Sequence, residues 1–416
     1  MTNTIKTPTE LLDLQDERLA VQPGLRGEIQ GAWRRVRGGD LGVLPVVIGL
    51  IIIAIVFQSL NRFFLSSANL VNLTLESAAV GTIALGVVLV LLLGQIDLSV
   101  GSVSGLSAAI LAVTFTRMNW PLALSISVAI AVGAGIGLIY GALFVRFGVP
   151  SFVITLAGLL AILGFQLYVL GTNGSVNIPF DSWIVRFAQQ MFLPPWVAYL
   201  LAVVAGGSYI YNGLRRASHR ASMSLSSASR SGIIIRGVLL TVALSALTWY
   251  LALTRGVAVM FVFFIALVVL FNFLLTRTSW GRNIFAIGGN VEAARRAGIR
   301  VNQIYISVFM LASTLAAVGG LLAAARLASA NPSSGGGDTN LNAIAAAVIG
   351  GTSLFGGRGS AYSALLGIFV ISAISSGLTL LSLDSAIRFM ITGAVLLVAV
   401  IIDSVSRRSR AAHGQA

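Results

Sequence analysis

The chain has 416 residues, of which 57% are hydrophobic and 10% are charged, and its net charge is +14. A soluble domain of this length does not tolerate so apolar a composition, so the sequence predicts an all-α, polytopic integral membrane protein. There is no cysteine, and the two histidines lie in polar segments, so we expect no metal site and no histidine-based catalysis. The only lysine, Lys6, cannot belong to a GxxxxGK[ST] phosphate loop. We therefore expect no catalytic residue and no cofactor bound by this chain.

Apolar windows divide the chain into about 12 predicted transmembrane helices. The polar residues 1–40 and 404–416 are predicted cytoplasmic tails on either side of a transmembrane domain at 41–403. The windows are 41–59, 70–93, 99–116, 122–145, 150–170, 196–213, 233–253, 256–275, 303–326, 341–355, 361–381 and 384–402.

The arginines predict the orientation of these windows. If all of them cross, most arginines lie on the same side as both termini, and the positive-inside rule makes that side cytoplasmic. The basic charge therefore indicates membrane topology rather than nucleic-acid binding. The window 341–355 is short for a bilayer, but omitting it would place Arg407, Arg408 and Arg410 outside. We predict a short crossing helix there, with a re-entrant loop as the alternative.

A small capped helix is predicted inside the Arg-rich segment 276–302, TRTSWGRNIFAIGGNVEAARRAGIRVN. Asn290 is a candidate N-cap, and Gly298 stands where a left-handed residue ends a helix. An acidic first turn and a basic last turn match the helix dipole. Two turns of helix are not stable alone, so this one needs a partner surface whose groove accepts small side chains. The dipole-matching residues are Glu292, Arg295 and Arg296, and the small residues are Ala293, Ala294 and Ala297. The alternative is an ordinary basic cytoplasmic loop.

Glycines interrupt two apolar segments, 94–105 and 340–360, one in each half of the chain. Broken segments in both halves of a transporter indicate a substrate path. Asp97 is a costly charge within the first segment, and either it caps the helix that begins at Ser99 or it contacts substrate. Hydroxyls and amides that can bind a neutral polyol surround it. The pathway candidates are Gln95, Asp97, Ser99, Asn340, Asn342, Thr352 and Ser353.

Three further features have structural interpretations. Gly133, Gly137 and Gly141 share a helical face and predict a close-packed helix neighbour. The longest outer loop, 171–195, is either a solvated connection or part of a docking surface, and its middle can form an amphipathic helix. The Ser- and Arg-rich segment 214–232 is predicted to be a solvated cytoplasmic linker, with phosphorylation or anionic-lipid binding as alternatives.

Three blocks resemble the permease subunits of bacterial sugar ABC importers of the ribose, arabinose and xylose type. These blocks are GQIDLSVGSVSGLSAA at 94–109, GRNIFAIGGNVEAARRAGIRVN at 281–302 and LNAIAAAVIGGTSLFGGRGS at 341–360. They keep the family order, and the similarity covers nearly the whole chain from about residue 41. An extra pair of windows lies between the segment 214–232 and the loop 276–302, and this pair makes the resemblance closest to the xylose type. One departure is Asn340-Leu341-Asn342, where many members have Glu-Leu-Asp.

The resemblance implies a non-catalytic permease for a monosaccharide in the bacterial inner membrane. It further implies a homodimer, an extracytoplasmic sugar-binding protein and a cytoplasmic ATP-binding subunit that carries ATP and Mg and receives the short helix at 290–298. Two other classes remain open from the residues alone. An ion-coupled secondary transporter needs ionisable groups deep in the bundle, and few exist here. A membrane scaffold that moves no solute does not need the glycine-broken segments.

Overall fold

The computed structural model describes residues 44–401 except 173, 224, 228, 385, 388–389, 395–396 and 398–400. The predicted tails at 1–40 and 404–416 lie outside the described residues, as do 9 of the 19 residues of the last predicted window, 384–402. The described part is almost entirely helical, and its two short strands pair antiparallel with Val176 opposite Ala330.

The elements are numbered in chain order. They are α1 (Leu44–Leu60), α2 (Ser67–Leu92), α3 (Val100–Ala112), α4 (Leu122–Phe147), α5 (Ser151–Leu170), β1 (Val176–Asn177), α6 (Trp183–Gln189), α7 (Pro195–Ser222), α8 (Arg230–Ala252), α9 (Val259–Arg277), α10 (Ser279–Gly289), α11 (Val291–Arg296), α12 (Val301–Leu327), β2 (Ser329–Ala330), α13 (Gly337–Ile349) and α14 (Ala361–Leu380).

Within the described residues, nine helices are long and apolar enough to cross a membrane. One of them is α3 extended by a π-helical turn, Val113–Arg117. The apolar α1 has 17 residues and falls just short of that length. The polytopic all-α fold is thus confirmed, whereas the count of about 12 is not.

The short crossing helix predicted over 341–355 is wrong in its bounds. The observed α13 has 13 residues and is about 20 Å long, less than the roughly 30 Å of a hydrocarbon core. Gly350 ends the helix by donating its N–H to the Ala346 carbonyl, and Gly351 follows at φ 98°. Because these glycines stop the helix, residues 350–360 form a loop and not a continuation of the crossing.

Two helices form the centre of the larger compact unit, residues 42–192 and 257–404. The apolar windows of α2 and α3 are 89% and 83% buried, as expected of helices that are apolar all round. The predicted glycine stripe on α4 is confirmed as a packing face against α12. A methyl group on Gly133 would lie 2.6 Å from the Ala317 Cβ, and Gly137 abuts the Phe309 carbonyl.

The helices α7 and α8 form a hairpin in a separate compact unit that includes residues 193–256. Gly206 and Gly237 let the two helices approach closely, since a methyl group on Gly206 would clash with the Thr241 hydroxyl. The predicted linker at 214–232 is too long at its start because α7 continues to Ser222. The amphipathic helix predicted in the outer loop exists as α6, which buries Ile184, Val185 and Ala188.

Candidate docking helix and substrate path

The predicted short helix exists as α11, and both of its ends are capped as the sequence indicates. The Asn290 Oδ1 accepts a hydrogen bond from the Ala293 N–H at 2.9 Å. At the other end Gly298 adopts φ 79°, and its N–H bonds the Arg295 carbonyl at 3.0 Å. The Ile299 N–H bonds the Ala294 carbonyl at 3.1 Å, which completes a Schellman motif. Specific residues therefore start and stop this helix of 6 residues.

One face of α11 is presented outward and the other is covered by the chain itself. Glu292 and Arg295 pair at 3.2 Å with side chains 67% and 60% exposed, so the pair adds little stability. Ala293 and Arg296 are also exposed, whereas Ala294 is buried. Ala294 was predicted to seat in a partner's groove; its side chain packs within this chain, and the docking role stays a prediction. Ala293 and Ala297 keep the exposure that such a role requires.

Backbone from three distant segments meets beside α11. The Leu92 carbonyl at the end of α2 accepts a hydrogen bond from the Gly357 N–H at 2.9 Å. Gly288 of α10 packs directly on both groups, and a methyl group there would clash with the Leu92 oxygen. A methyl group on Gly356 would lie 2.8 Å from the Gly94 nitrogen. We call Gly94, Gly288, Gly356 and Gly357 the glycine junction.

The segment between α2 and α3 is irregular, and side chains satisfy its backbone. The Ser151 hydroxyl accepts the Ile96 N–H at 3.3 Å, and the Thr155 hydroxyl accepts the Leu98 N–H at 3.1 Å. The Asn340 amide donates to the Leu98 carbonyl at 2.8 Å. Irregular backbone inside a membrane protein requires such partners because lipid offers none.

Asp97 lies within this segment and is 2% exposed. Its Oδ1 accepts hydrogen bonds from the Ser99 N–H at 2.8 Å and from the Ser99 hydroxyl at 2.7 Å. This is an Asx turn ahead of α3 and accounts for the structural interpretation of Asp97. Its Oδ2 has no hydrogen-bond partner among the described residues. An unpaired buried carboxylate oxygen is costly, so this atom is positioned for something other than the turn.

The predicted pathway residues separate into two groups. Asp97, Ser99 and Asn340 converge around Leu98, and the Asn340 Oδ1 also has no partner within the described part of the chain. Thr352 and Ser353 lie in the loop after α13, where the Ser353 N–H bonds the Arg358 carbonyl at 3.0 Å. The two remaining candidates are half-buried, and each is two residues from a member of the first group in the chain; they are Gln95 and Asn342.

Sequence reasoning missed two polar side chains beside the first group. The Tyr140 hydroxyl faces Ser99 without hydrogen-bond geometry to any described residue, and Gly158 leaves space for that hydroxyl. Gln166 is fully buried, and its amide donates to the Asn331 and Ser334 carbonyls at 3.1 and 3.0 Å. The sequence signal for Gln166 was an amide side chain inside the apolar segment that forms α5. A search confined to charged residues does not find it.

These features define a class of protein: a polytopic membrane permease with glycine-broken segments and a capped helix at one end. The chain belongs to the family described as "branched-chain amino acid transport system / permease component", whose model matches residues 69–400. It is therefore a membrane transport component and not a catalyst.

Relatives match over nearly their whole lengths. The Escherichia coli K12 xylose transport system permease protein XylH is 33% identical over 91% of this chain and 95% of that protein. The Bacillus subtilis 168 ribose import permease protein RbsC is 32% identical over 90% of this chain and 97% of its own. The Rhizobium meliloti fructose import permease protein FrcC is 28% identical over 88% and 85%. No solved structure matches this chain.

Proposed function

We propose that this chain is the membrane-spanning permease of an ATP-driven bacterial importer for a monosaccharide, with D-xylose or a related aldopentose as its solute. The observation that carries the proposal is similarity at 33% identity to a permease named for xylose, over 95% of that protein's length. The helices α8 and α9, which lie between the predicted linker and the loop 276–302, support the xylose type because shorter members of the resembled family lack that pair. The family's description names branched-chain amino acids, and this is the alternative to be tested.

The chemistry around Leu98 suits a neutral polyol. Asp97 and Asn340 offer unpartnered oxygen acceptors, and the Tyr140 hydroxyl can donate or accept. Sugar hydroxyls both donate and accept, so a bound monosaccharide satisfies these groups without importing charge. A zwitterionic amino acid brings a carboxylate and an ammonium group, which require compensating charge at a buried site. Asp97, Ser99, Tyr140 and Asn340 include no basic side chain that could pair with an amino acid's carboxylate, so the arrangement favours the sugar.

The proposed partners follow from the two ends of the molecule. The exposed face of α11 receives a cytoplasmic ATP-binding subunit that carries ATP and Mg, so this chain needs no nucleotide of its own. The face bearing α6 and the β1–β2 pair receives an extracytoplasmic sugar-binding protein. The permease is a homodimer in the inner membrane, contacts lipid, binds no nucleic acid and keeps both termini in the cytoplasm. ATP-driven closure of the partner subunits displaces α11, and the helices alternate access to the path.

Uptake in cells lacking this gene alone tests the proposal. We expect radiolabelled xylose uptake to fall and to return with the unsubstituted gene. Unchanged uptake of xylose, ribose and arabinose, with loss of leucine uptake instead, would replace the sugar assignment by the amino-acid one. Collapse of uptake with an ionophore at constant cellular ATP would indicate an ion-coupled carrier instead of an ATP-driven importer.

A further inference from the structure

We propose that the glycine junction is the joint through which movement of α11 reaches both glycine-broken segments, which makes Gly94, Gly288 and Gly357 positioning residues for transport. The proposal rests on the proposed function, because it presumes that a nucleotide-binding partner moves α11. It assigns a mechanical role to residues that touch neither nucleotide nor solute.

The first step in the argument is that α10 and α11 are linked by a single residue. Asn290 donates its N–H to the Ala286 carbonyl at 3.1 Å and so ends α10, while its side chain caps α11. Ile284 and Ile287 of α10 are buried, and the Trp280 indole N–H bonds the Ser307 hydroxyl at 2.9 Å. Because α10 is held within the bundle and α11 follows without a loop, a displacement of α11 is passed to α10.

The second step is that α10 meets both broken segments at one carbonyl group. Leu92 is the last residue of α2, ahead of the irregular stretch that contains Asp97, and its oxygen accepts the Gly357 N–H from the loop after α13. Gly288 lies against both groups. A shift of α10 therefore acts on the two segments together and cannot move one alone.

The third step is that the contacts are made by backbone. Side chains absorb small shifts by changing rotamer, whereas peptide groups in direct contact have no such freedom. Gly94 and Gly357 adopt φ of 70° and 71°, which residues with a side chain rarely adopt. Because the glycines have no side chain, the backbones of the three segments approach closely, and a displacement of one segment is passed directly to the others.

A second contact runs in parallel with the junction. Tyr305 near the start of α12 lies close to the Gln95 side chain and within electrostatic reach of Arg295 on α11. Gln95 is two residues from Asp97, so Tyr305 lies between α11 and the irregular stretch that contains Asp97.

Neighbouring glycines on α10 provide a matched test. In Gly288→Ala the new methyl group meets the Leu92 oxygen, whereas in Gly289→Ala nothing lies within 4 Å. The full chain, purified with its ATP-binding subunit and reconstituted with its sugar-binding protein in liposomes, is assayed for xylose uptake and for ATP hydrolysis. We expect Gly288→Ala to retain ATP hydrolysis and to lose about tenfold in uptake per ATP, the scale of a typical coupling between sites. Gly289→Ala should match the unsubstituted chain, and equal uptake per ATP in both variants would overturn the proposal.

A labelling experiment covers the case in which Gly288→Ala does not assemble. The chain has no cysteine, and Phe355 between the junction residues is 60% exposed, so Phe355→Cys accepts a unique spin label. We expect the label's mobility to change when ATP binds the complex, and an unchanged signal during ATP-driven uptake would refute the joint. Failure of the unsubstituted complex to take up xylose with ATP would instead refute the proposed function.

Discussion

At the scale of single residues, the two carboxylate oxygens of Asp97 differ. One oxygen holds the Asx turn through Ser99, and the other has no hydrogen-bond partner among the described residues. The choice between capping and substrate contact is therefore not exclusive, because each oxygen is available for one of them.

Two substitutions of Asp97 separate these roles. Asp97→Ala leaves the buried Ser99 N–H and hydroxyl without an acceptor, which costs about 1–3 kcal/mol for each group. Asp97→Asn keeps an oxygen acceptor for both. We expect Asn to preserve the apparent melting temperature in detergent and to reduce xylose uptake, whereas Ala lowers both. Full uptake by the Asn variant would show that the second oxygen does not serve transport.

Asn290 is the residue on which α11 depends most. Asn290→Ala removes the acceptor of the Ala293 N–H and should destabilise the helix by about 1 kcal/mol, which weakens docking about fivefold. Binding of the purified ATP-binding subunit to the immobilised permease measures this change. Asn290→Asp retains the cap and is the control, so a loss of equal size in both variants would assign the effect to something other than capping.

At the scale of elements, α4 packs on α12 through some of its glycines and not through others. Gly137 abuts the Phe309 carbonyl, whereas Gly135 on the same helix has no neighbour within 4 Å. Gly137→Leu should force the helices apart and reduce the yield of monodisperse protein severely, because overpacked side chains cannot be accommodated in a close-packed contact. Gly135→Leu should leave the yield unchanged. Similar yields from the two variants would mean that the two helices do not pack through this face.

The α7–α8 hairpin leaves the larger unit and returns to it at adjacent points, since Phe192 and Ala258 form an antiparallel bridge. Replacing 193–257 by Asn-Gly gives the two-residue turn that such a bridge accepts. We expect this variant to insert with its C-terminus on the original side, because two crossings are removed together. Deleting 230–252 alone removes one crossing and should invert or abolish insertion of everything downstream. A C-terminal reporter distinguishes these results, and inversion in the Asn-Gly variant would contradict the hairpin's independence.

At the scale of the whole molecule, the arginine distribution predicts both termini in the cytoplasm. A C-terminal fusion to alkaline phosphatase, which is active only outside the cytoplasm, should be silent. A truncated fusion after Asp181 in the outer loop should be active and serves as the positive control. Activity of the C-terminal fusion would mean that the chain crosses the membrane an even number of times after α12, as it would if the segment 341–355 does not cross.

Sequence-based predictions were correct where the interacting residues are close in the sequence and failed where they are far apart. The caps of α11 were predictable because Asn290 and Gly298 act on their own neighbours within one turn. The burial of Ala294 and the end of α13 were not predicted. Packing against other helices buries Ala294, and Gly350 and Gly351 end α13. The surroundings of Tyr140 and Gln166 were not predictable for the same reason: Ser99 beside Tyr140 and the carbonyls that Gln166 bonds belong to loops far away in the sequence.

The bond between Asn340 and Leu98 spans 242 residues. A ribosome adds about 5–20 residues per second, so the first broken segment waits for its partner for tens of seconds. Throughout that time Asp97 and the Leu98 carbonyl are already in or near the bilayer while their final partner has not been made. Until then, water, an insertase or earlier helices must supply temporary hydrogen-bond partners for this stretch of the nascent chain. A permease built in this way is most vulnerable to quality-control proteases late in synthesis, just before α13 emerges.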